Sequence, residues 1–332
     1  MASAPTILLI RLKSMGDVVF TAPAVHRLRH QHPDARLSFL TSVENRPVVE
    51  TFSTVDDVLI LDRQLLRRPY LPAAARHVLG LLRTLRRRRF NLVVDFQGYG
   101  ETALLSRLTG ARERWGCATR TLRRRAYTRN FPRPADGHPA DGYLDLLDLT
   151  GIPPAPVVNE LRLPEEARAA ARRFGAGHGL DPAKPWLFLQ PFTSAEAKNW
   201  PLEKHLALAR SWREDGGQVI FGGGPDNKDR LAPAGAAGFV VAAGAPLLTS
   251  AALARQAAVI VGGDTGLLHF VVALGGRALA LMRTDYPGCS TPYHHPEWAV
   301  SPPPGQPVAA IPVSAVWAVL AVLLKAGKSA GT

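Results

Sequence analysis

Cysteine is nearly absent: of 332 residues only Cys117 and Cys289 carry a thiol, far apart and without metal-ligand spacing. No disulfide scaffold or thiolate metal centre is encoded, and free thiols suit a reducing compartment. Long apolar runs are missing too. The most apolar late segment, Val313 to Leu324, falls well short of the roughly 20 residues that span a bilayer and reads as a packed helix. Met1 to Pro5 lead straight into the strand-like Thr6-Ile7-Leu8-Leu9-Ile10, with no charged n-region, apolar stretch and cleavage site. These absences predict a cytoplasmic protein. The turn after the first strand lacks G-x-G-x-x-G, and no glycine-rich loop ends in G-K-[ST], so neither a dinucleotide dehydrogenase nor a P-loop triphosphatase is supported. No short-period repeat is present. Acidic residues are the last shortage, 27 against 40 lysines and arginines.

What is present is apolar material, 46% of the chain, enough for two buried cores in a length comfortable for two domains. The net charge of +13 is unevenly placed. Residues 1–175 hold 28 basic and 17 acidic side chains, residues 176–332 hold 12 and 10. The excess is nearly all arginine, in one run of Arg83 with Arg86 to Arg89 and another of Arg120 with Arg123 to Arg125 and Arg129. A field of that sign draws polyanions: nucleic acid, anionic lipid headgroups or phosphorylated glycans. A solvated helix face is the plainer reading of either run alone.

Strand and helix patterns alternate along the chain. Ile7 to Leu12 is a strand, followed by the turn Ser14-Met15-Gly16-Asp17 and a helix from Val18 to His32. Strands follow at Arg36 to Thr41 and Val58 to Leu61, then a helix over Pro72 to Arg89 and a buried strand over Asn91 to Phe96. A helical patch lies at Tyr143 to Leu149, and Pro153-Pro154-Ala155-Pro156 is the linker candidate. The alternation then restarts, with helices at Glu165 to Phe174, Leu202 to Glu214, Thr249 to Gln256 and Gly266 to Leu274. Strands fall at Trp186 to Gln190, Gln218 to Phe221, Ala258 to Val261 and Ala278 to Met282. Such alternation signals parallel βαβ units, so the chain reads as two sequential α/β domains, 1–156 and 157–332.

Four segments carry chemistry, each directly after a strand, where open parallel sheets bind their ligands. Lys13-Ser14-Met15-Gly16-Asp17 follows the first strand. Asp17 can take a proton from an attacking hydroxyl as a general base, or cap the helix it begins. Phe192-Thr193-Ser194-Ala195-Glu196-Ala197-Lys198 offers two hydroxyls and a mobile cation to phosphate oxygens. Gly222-Gly223-Gly224-Pro225-Asp226-Asn227 lets a ribose approach the backbone at Gly223, with Asp226 or Asn227 for sugar hydroxyls. Gly262-Gly263-Asp264-Thr265-Gly266-Leu267-Leu268-His269 opens a helix whose unpaired N–H groups suit a diphosphate. Asp264 is placed to cap that helix or orient a ligand hydroxyl, and His269 to face the ligand or pack. The last three segments converge on one rim of one sheet.

Taken in order, Ser14-Met15-Gly16-Asp17 with Thr21-Ala22-Pro23-Ala24, Asp95-Phe96-Gln97-Gly98, Lys198-Asn199-Trp200-Pro201 with Glu203 and His205, and Asp264-Thr265-Gly266-Leu267 with His269 resemble the ADP-heptose:lipopolysaccharide heptosyltransferases of glycosyltransferase family 9. The resemblance covers nearly the whole chain. It implies a GT-B fold, two Rossmann-like domains with parallel sheets facing across a cleft, the last helix a candidate to pack back on the N-terminal domain. It implies an inverting transfer of heptose from ADP-L-glycero-D-manno-heptose to the anionic inner core of lipopolysaccharide, with no metal and no cofactor. Asp17 would be the base. Thr193, Ser194, Lys198, Gly223, Asp226, Asn227, Asp264, Thr265, Gly266, Leu267 and His269 would hold the donor. Lys13, Ser14, Met15, Gly16, Gln97 and Arg120 would hold the acceptor, whose charge matches the basic N-terminal half. Peripheral contact with the cytoplasmic face of the inner membrane, through that half and Trp115 or Tyr127, is expected. One departure stands out: where the family commonly has a Gly-Pro-Thr/Ser loop, this chain has Met282-Arg283-Thr284-Asp285-Tyr286-Pro287. A GT-B enzyme using another nucleotide-sugar stays open as the alternative, and so does a nucleic-acid-binding protein. The latter is suggested by the arginine runs alone, without a recognised module.

Overall fold

Short runs such as Ile7-Leu8-Leu9-Ile10 and Leu92-Val93-Val94 are apolar at every position, which suits strands buried on both faces rather than one. In the computed structural model they pair in parallel. The structure describes residues 4–67, 72–132, 136–286 and 289–329, with backbone alone for 326–329. The chain forms two compact units, Met1–Arg162 and Leu163–Thr332.

The first unit holds β1 (Thr6–Ile10), β2 (Arg36–Ser42), β3 (Asp57–Leu61), β4 (Leu92–Asp95), β5 (Glu113–Gly116) and β6 (Arg129–Asn130) in the order β3-β2-β1-β4-β5-β6. The second holds β7 (Trp186–Gln190), β8 (Gln218–Gly223), β9 (Val240–Ala243), β10 (Val259–Gly262), β11 (Ala278–Leu281) and β12 (Ala299–Val300) in the order β12-β11-β10-β7-β8-β9. Every pairing is parallel. In each unit the opening strand has the second strand on one side and the fourth on the other. The strand order therefore reverses beside β1 and again beside β7, and each reversal leaves a crevice at the strand carboxyl ends.

Leu8, Ile10, Leu40, Leu59 and Val93 of the first sheet pack against Leu81 and Leu85 of the helix Pro72–Arg87. In the second unit, Leu187, Leu189, Phe221, Val259 and Leu279 meet Trp200, Leu208 and Trp212, with Val316, Leu320 and Leu323 of the last helix, Val313–Ser329. Each such buried side chain is worth about 1.5–3 kcal/mol.

The structure differs from the sequence expectation in several places. The helix expected over 18–32 is two helices, Met15–Val19 and Ala22–Gln31. They part at Thr21, whose hydroxyl donates to Val18 O (2.7 Å), just before Pro23, which has no N–H to give. The edge strands β6, β9 and β12, the strand β5 beside β6, and the helix Gly100–Leu108 were not anticipated. Residues 153–162 run back along the first unit: Ser53 N–H donates to Glu160 O (3.0 Å) and Arg162 N–H to Thr51 O (2.8 Å). The division accordingly falls after Arg162, beyond the proline-rich stretch. Trp115 and Tyr127 are both buried, so neither can face a membrane from the folded unit.

His205 sits wholly inside the second core, edge-on to Trp200 with ring centroids 4.7 Å apart. Burial disfavours its charged form and holds its pKa at about 4, against the usual 6.5. Between those two values the unfolded chain binds the extra proton, so this contribution is complete above pH 6.5 and is lost as pH falls towards 4. Urea melts across that window should therefore show falling stability on acidification, with a shallower slope in His205→Leu. Equal slopes in the two proteins would contradict it.

Candidate functional site

In the first unit β1 runs out into Arg11 and Leu12 and turns through Lys13 and Ser14 into the helix Met15–Val19. Buried side chains from across the switch point fix this turn. Gln97, beyond the end of β4 and fully buried, accepts the backbone N–H of Leu12 (2.8 Å) and of Lys13 (3.2 Å) through Oε1. Asp95, also fully buried, accepts the N–H of Gln97 (2.8 Å) and Gly98 (3.0 Å) on Oδ1 and the Tyr127 hydroxyl (2.6 Å) on Oδ2. Burial pushes the Asp95 carboxyl up against those donors, and pushes the Tyr127 phenol up as well.

Arg11 is 4% exposed and sends one nitrogen to Phe96 O (2.9 Å) and another to Asp17 Oδ2 (2.7 Å). The same Oδ2 accepts the Ser14 N–H (3.0 Å) and the Ser14 hydroxyl (2.8 Å). The backbone bond is one half of a capping box, so Asp17 does cap its helix. All three donors converge on one oxygen, however. Among the described residues no hydrogen bond reaches Oδ1. Burial works against the charged carboxylate, but the Arg11 guanidinium and the Ser14 bonds outweigh it and hold Asp17 below the ordinary carboxylate value. Asp17 is therefore ionised at neutral pH, with one oxygen open to a proton. Around it, Lys13 and Ser14 are exposed, Met15 is half-buried and Gly16 is buried. Arg120 is exposed past the end of β5, at the start of the helix Thr121–Arg124. Arg11 itself was hidden in the sequence inside an apolar run; its one signal is a charge between the buried Ile10 and Leu12, just before a turn.

In the second unit β10 leads through Gly263, Asp264 and Thr265 into the helix Gly266–Ala273. Thr265, rather than Asp264, is the cap: its hydroxyl accepts the Leu268 N–H (3.3 Å). The N–H groups of Gly266 and Leu267 have no acceptor among the described residues and point out of the helix start. Asp264 is freed for another task. Its Oδ2 accepts Lys198 Nζ (2.9 Å) and its Oδ1 lies 2.9 Å from His269 Nε2. Burial would raise Asp264, but the His269 and Lys198 hydrogen bonds bring it down to about 2. Lys198 is raised in turn, first by its bond to Asp264. His269 is buried and reaches back to Asp264 from inside the helix.

Glycine is what lets these two segments meet. A Cβ on Gly263 would lie 2.5 Å from Thr193 Cγ2 and 3.1 Å from Lys198 O. Thr193 spends its hydroxyl inside the same loop, donating to Ala195 O (2.8 Å), while Ser194 is exposed. At the end of β8, Gly222 and Gly223 are accounted for by packing, since a Cβ would meet the Phe188 ring at 2.2 Å and Leu231 at 3.0 Å. Asp226 beyond them is exposed and Asn227 half-buried. On the other side, the chain after β11 carries Arg283 bonded through two nitrogens to Asp285 (2.8 and 2.7 Å). Tyr286 follows; Pro287 lies outside the described residues. Among the described residues no group of three or more His, Cys, Asp or Glu is arranged to hold a metal ion.

A family model described as glycosyltransferase family 9 (heptosyltransferase) matches residues 78–306. Lipopolysaccharide heptosyltransferase 1 of Pseudomonas aeruginosa is 28% identical over 315 residues, covering 86% of this chain and 81% of that protein. The structure of a family 9 glycosyltransferase from Veillonella parvula superposes with a TM-score of 0.86 at 20% identity, covering 98% of each chain. The Escherichia coli heptosyltransferase WaaC, solved with ADP, gives a TM-score of 0.77 at 20% identity over 96% of this chain and 99% of that one. These likenesses, with two six-stranded parallel sheets, make the fold GT-B.

Replacing Arg11 with glutamine leaves the burial of Asp17 in place and removes the charge that opposes it. Carboxyl NMR titration should find the Asp17 pKa raised by about one unit or more. An unchanged value would show that Ser14 alone holds it down.

Proposed function

The chain belongs to glycosyltransferase family 9, the heptosyltransferase family, and from that premise we propose that it transfers a heptose from ADP-L-glycero-D-manno-heptose to the inner core of lipopolysaccharide with inversion. The observation that carries this reading is the anion-ready end of the second sheet. Lys198 and the free N–H groups of Gly266 and Leu267 lie at the β7/β10 switch point, inside the stretch matched by the family model. A diphosphate is the group such a place stabilises best. One Lys198 proton is held by Asp264, which leaves two for phosphate oxygens, and His269 keeps Asp264 from turning to the ligand. Ser194, Asp226 and Asn227 are available to sugar and ribose hydroxyls.

The acceptor is assigned to the first unit. Asp17 Oδ1 takes the proton as the acceptor O–H bond breaks, and that oxygen bonds to the anomeric carbon from the face opposite the diphosphate. The bond from that carbon to the diphosphate breaks, and its electron pair leaves with ADP. Lys198 and the helix start stabilise the charge that develops there. A carboxylate held below its usual pKa is a weak base, so it accepts the proton late, once the acceptor oxygen is already committed to the new bond. Arg120, Arg124 and Arg125 are exposed past the end of β5 and supply cations for a phosphorylated acceptor. Such an acceptor is lipid-anchored, which puts the enzyme at the cytoplasmic face of the inner membrane. Among the described residues no helix is long and apolar enough to cross a membrane.

A second reading, another nucleotide-sugar on the same scaffold, is favoured by the loop after β11. Its Arg283–Asp285 pair and Tyr286 stand beside the β10 turn, where a donor sugar would be read. Calorimetry with ADP, UDP and GDP sugars separates the two; tight UDP-sugar binding would sink the first.

Asp17→Asn keeps the shape of the turn and removes the base. Turnover should fall by roughly 10²–10⁴-fold, while the ADP dissociation constant measured by calorimetry stays within about twofold, because donor and base sit on different units. Wild-type turnover in this variant would remove Asp17 from the mechanism.

A further inference from the structure

The arginines of the first unit fall into two classes. Arg27, Arg29, Arg36, Arg46 and Arg88 each meet a carboxylate. Arg83, Arg87, Arg89 and Arg112 do not: among the described residues none of their guanidinium groups has a hydrogen bond or ion pair. Arg86 uses only Nε, on Leu108 O (3.2 Å). Arg86, Arg89 and Arg112 line one open cavity of about 650 Å³ with Phe90, Asn91 and Thr109. That cavity lies before β4 and β5, at the amino ends of the sheet. Asp17 and the Arg120 segment lie at the carboxyl ends, on the order of 13 Å away along β4 alone. The acceptor site therefore accounts for one arginine run and leaves the other without a task.

The cavity offers positive charge and few uncharged groups. Asn91 Oδ1 is taken by the Thr6 N–H (2.8 Å), and the Thr109 hydroxyl donates to Ser106 O (2.7 Å) and accepts the Ala111 N–H (3.1 Å). No carboxylate lines the cavity to accept the hydroxyls of a nucleotide or a sugar phosphate, and beside the guanidinium groups the Asn91 amide N–H groups are the uncharged side-chain donors left among the described residues. About two turns before Arg86, Leu79 is 50% exposed on the helix Pro72–Arg87, on the same face as Arg83, Arg86 and Arg87. Leu104 is 57% exposed on the neighbouring helix Gly100–Leu108, one turn from the carbonyl that Arg86 holds. Unpaired arginines around a cavity, flanked by exposed leucines on two adjoining helices, match a bilayer surface with phosphate headgroups and accessible acyl chains.

We propose that this face docks the first unit on an anionic phospholipid surface, with a headgroup phosphate seated among Arg86, Arg89 and Arg112. The choice of lipid rests on the lipid-linked acceptor proposed above, but the binding itself needs neither donor nor acceptor. Each arginine near such a surface contributes roughly fivefold in affinity. The test is flotation of the full-length protein with vesicles of phosphatidylethanolamine and phosphatidylglycerol, against vesicles of phosphatidylcholine, at 150 mM salt. The wild type should bind the anionic vesicles and not the neutral ones. Arg87→Gln/Arg89→Gln/Arg112→Gln should lose about a hundredfold in vesicle affinity, with its turnover on a detergent-solubilised acceptor unchanged. Arg112→Gln alone, which removes no described contact, should lose about fivefold and covers the case in which the triple variant fails to fold. The charge-matched Arg46→Gln/Arg168→Gln/Arg172→Gln should bind as the wild type does. Equal loss in that control, retained binding in both the triple and the Arg112 variants, or inorganic phosphate or duplex DNA binding in place of vesicle binding would each overturn the proposal. Inactivity with ADP-heptose in a protein that still floats would instead count against the transferase reading alone.

Discussion

Everything at the two candidate sites depends on one constraint of parallel sheets: where the strand order reverses, the chains leaving adjacent strands diverge and leave a crevice. The constraint acts twice, between β1 and β4 and between β10 and β7. In the first unit it brings Gln97 and Phe96 O from β4 against the turn that follows β1, fixing Arg11 and through it Asp17. In the second it brings the 193–198 loop against Gly263, a contact with no room for a Cβ, and so delivers Lys198 to Asp264. Side-chain chemistry at both places follows from backbone topology.

The two aspartates have similar surroundings, and opposite roles are proposed for them. Each is partly buried, each meets one cation and further hydrogen-bond donors, and each is held below its ordinary pKa. The difference lies in which oxygens are occupied. Asp264 gives Oδ2 to Lys198 and Oδ1 to His269, so it has nothing left to offer a proton and serves to place the lysine. Asp17 receives Arg11 and both Ser14 donors on Oδ2 and keeps Oδ1 open. A carboxylate that acts as a base needs such an oxygen; a carboxylate that acts as a scaffold does best without one. The proposed assignments of acceptor activation to Asp17 and donor placement to Asp264 rest on this contrast.

Strands buried on both faces were legible because every position is apolar, as in Leu8-Leu9-Ile10 and Val259-Ile260-Val261, and the positions of the four loops followed from them. The short strands β5, β6 and β12 were not. In β5 only Trp115 is apolar among Glu113, Arg114 and Gly116, and β6 and β12 have two residues each, too few for a period. Arg11 was invisible because the carbonyl that anchors it belongs to Phe96, 85 positions away. The cap of the late helix was read one residue early, since Asp264 and Thr265 are both capping types and only the geometry distinguishes them. Glycines at 222 and 223 were read for a ligand, yet they make room for Phe188 and Leu231. The arginine runs read as one field from the sequence and separate into two ends of a sheet once folded.

The central claim is that one chain holds an ADP-sugar at the β7/β10 crevice and activates an acceptor hydroxyl at Asp17. Its most direct test is mass spectrometry of heptose-deficient lipopolysaccharide core incubated with the wild-type protein and ADP-heptose. The account predicts a mass gain of one heptose, with the new linkage inverted relative to the donor by NMR. No gain with ADP-heptose, or a gain only with a uridine or guanosine diphosphate sugar, would contradict it.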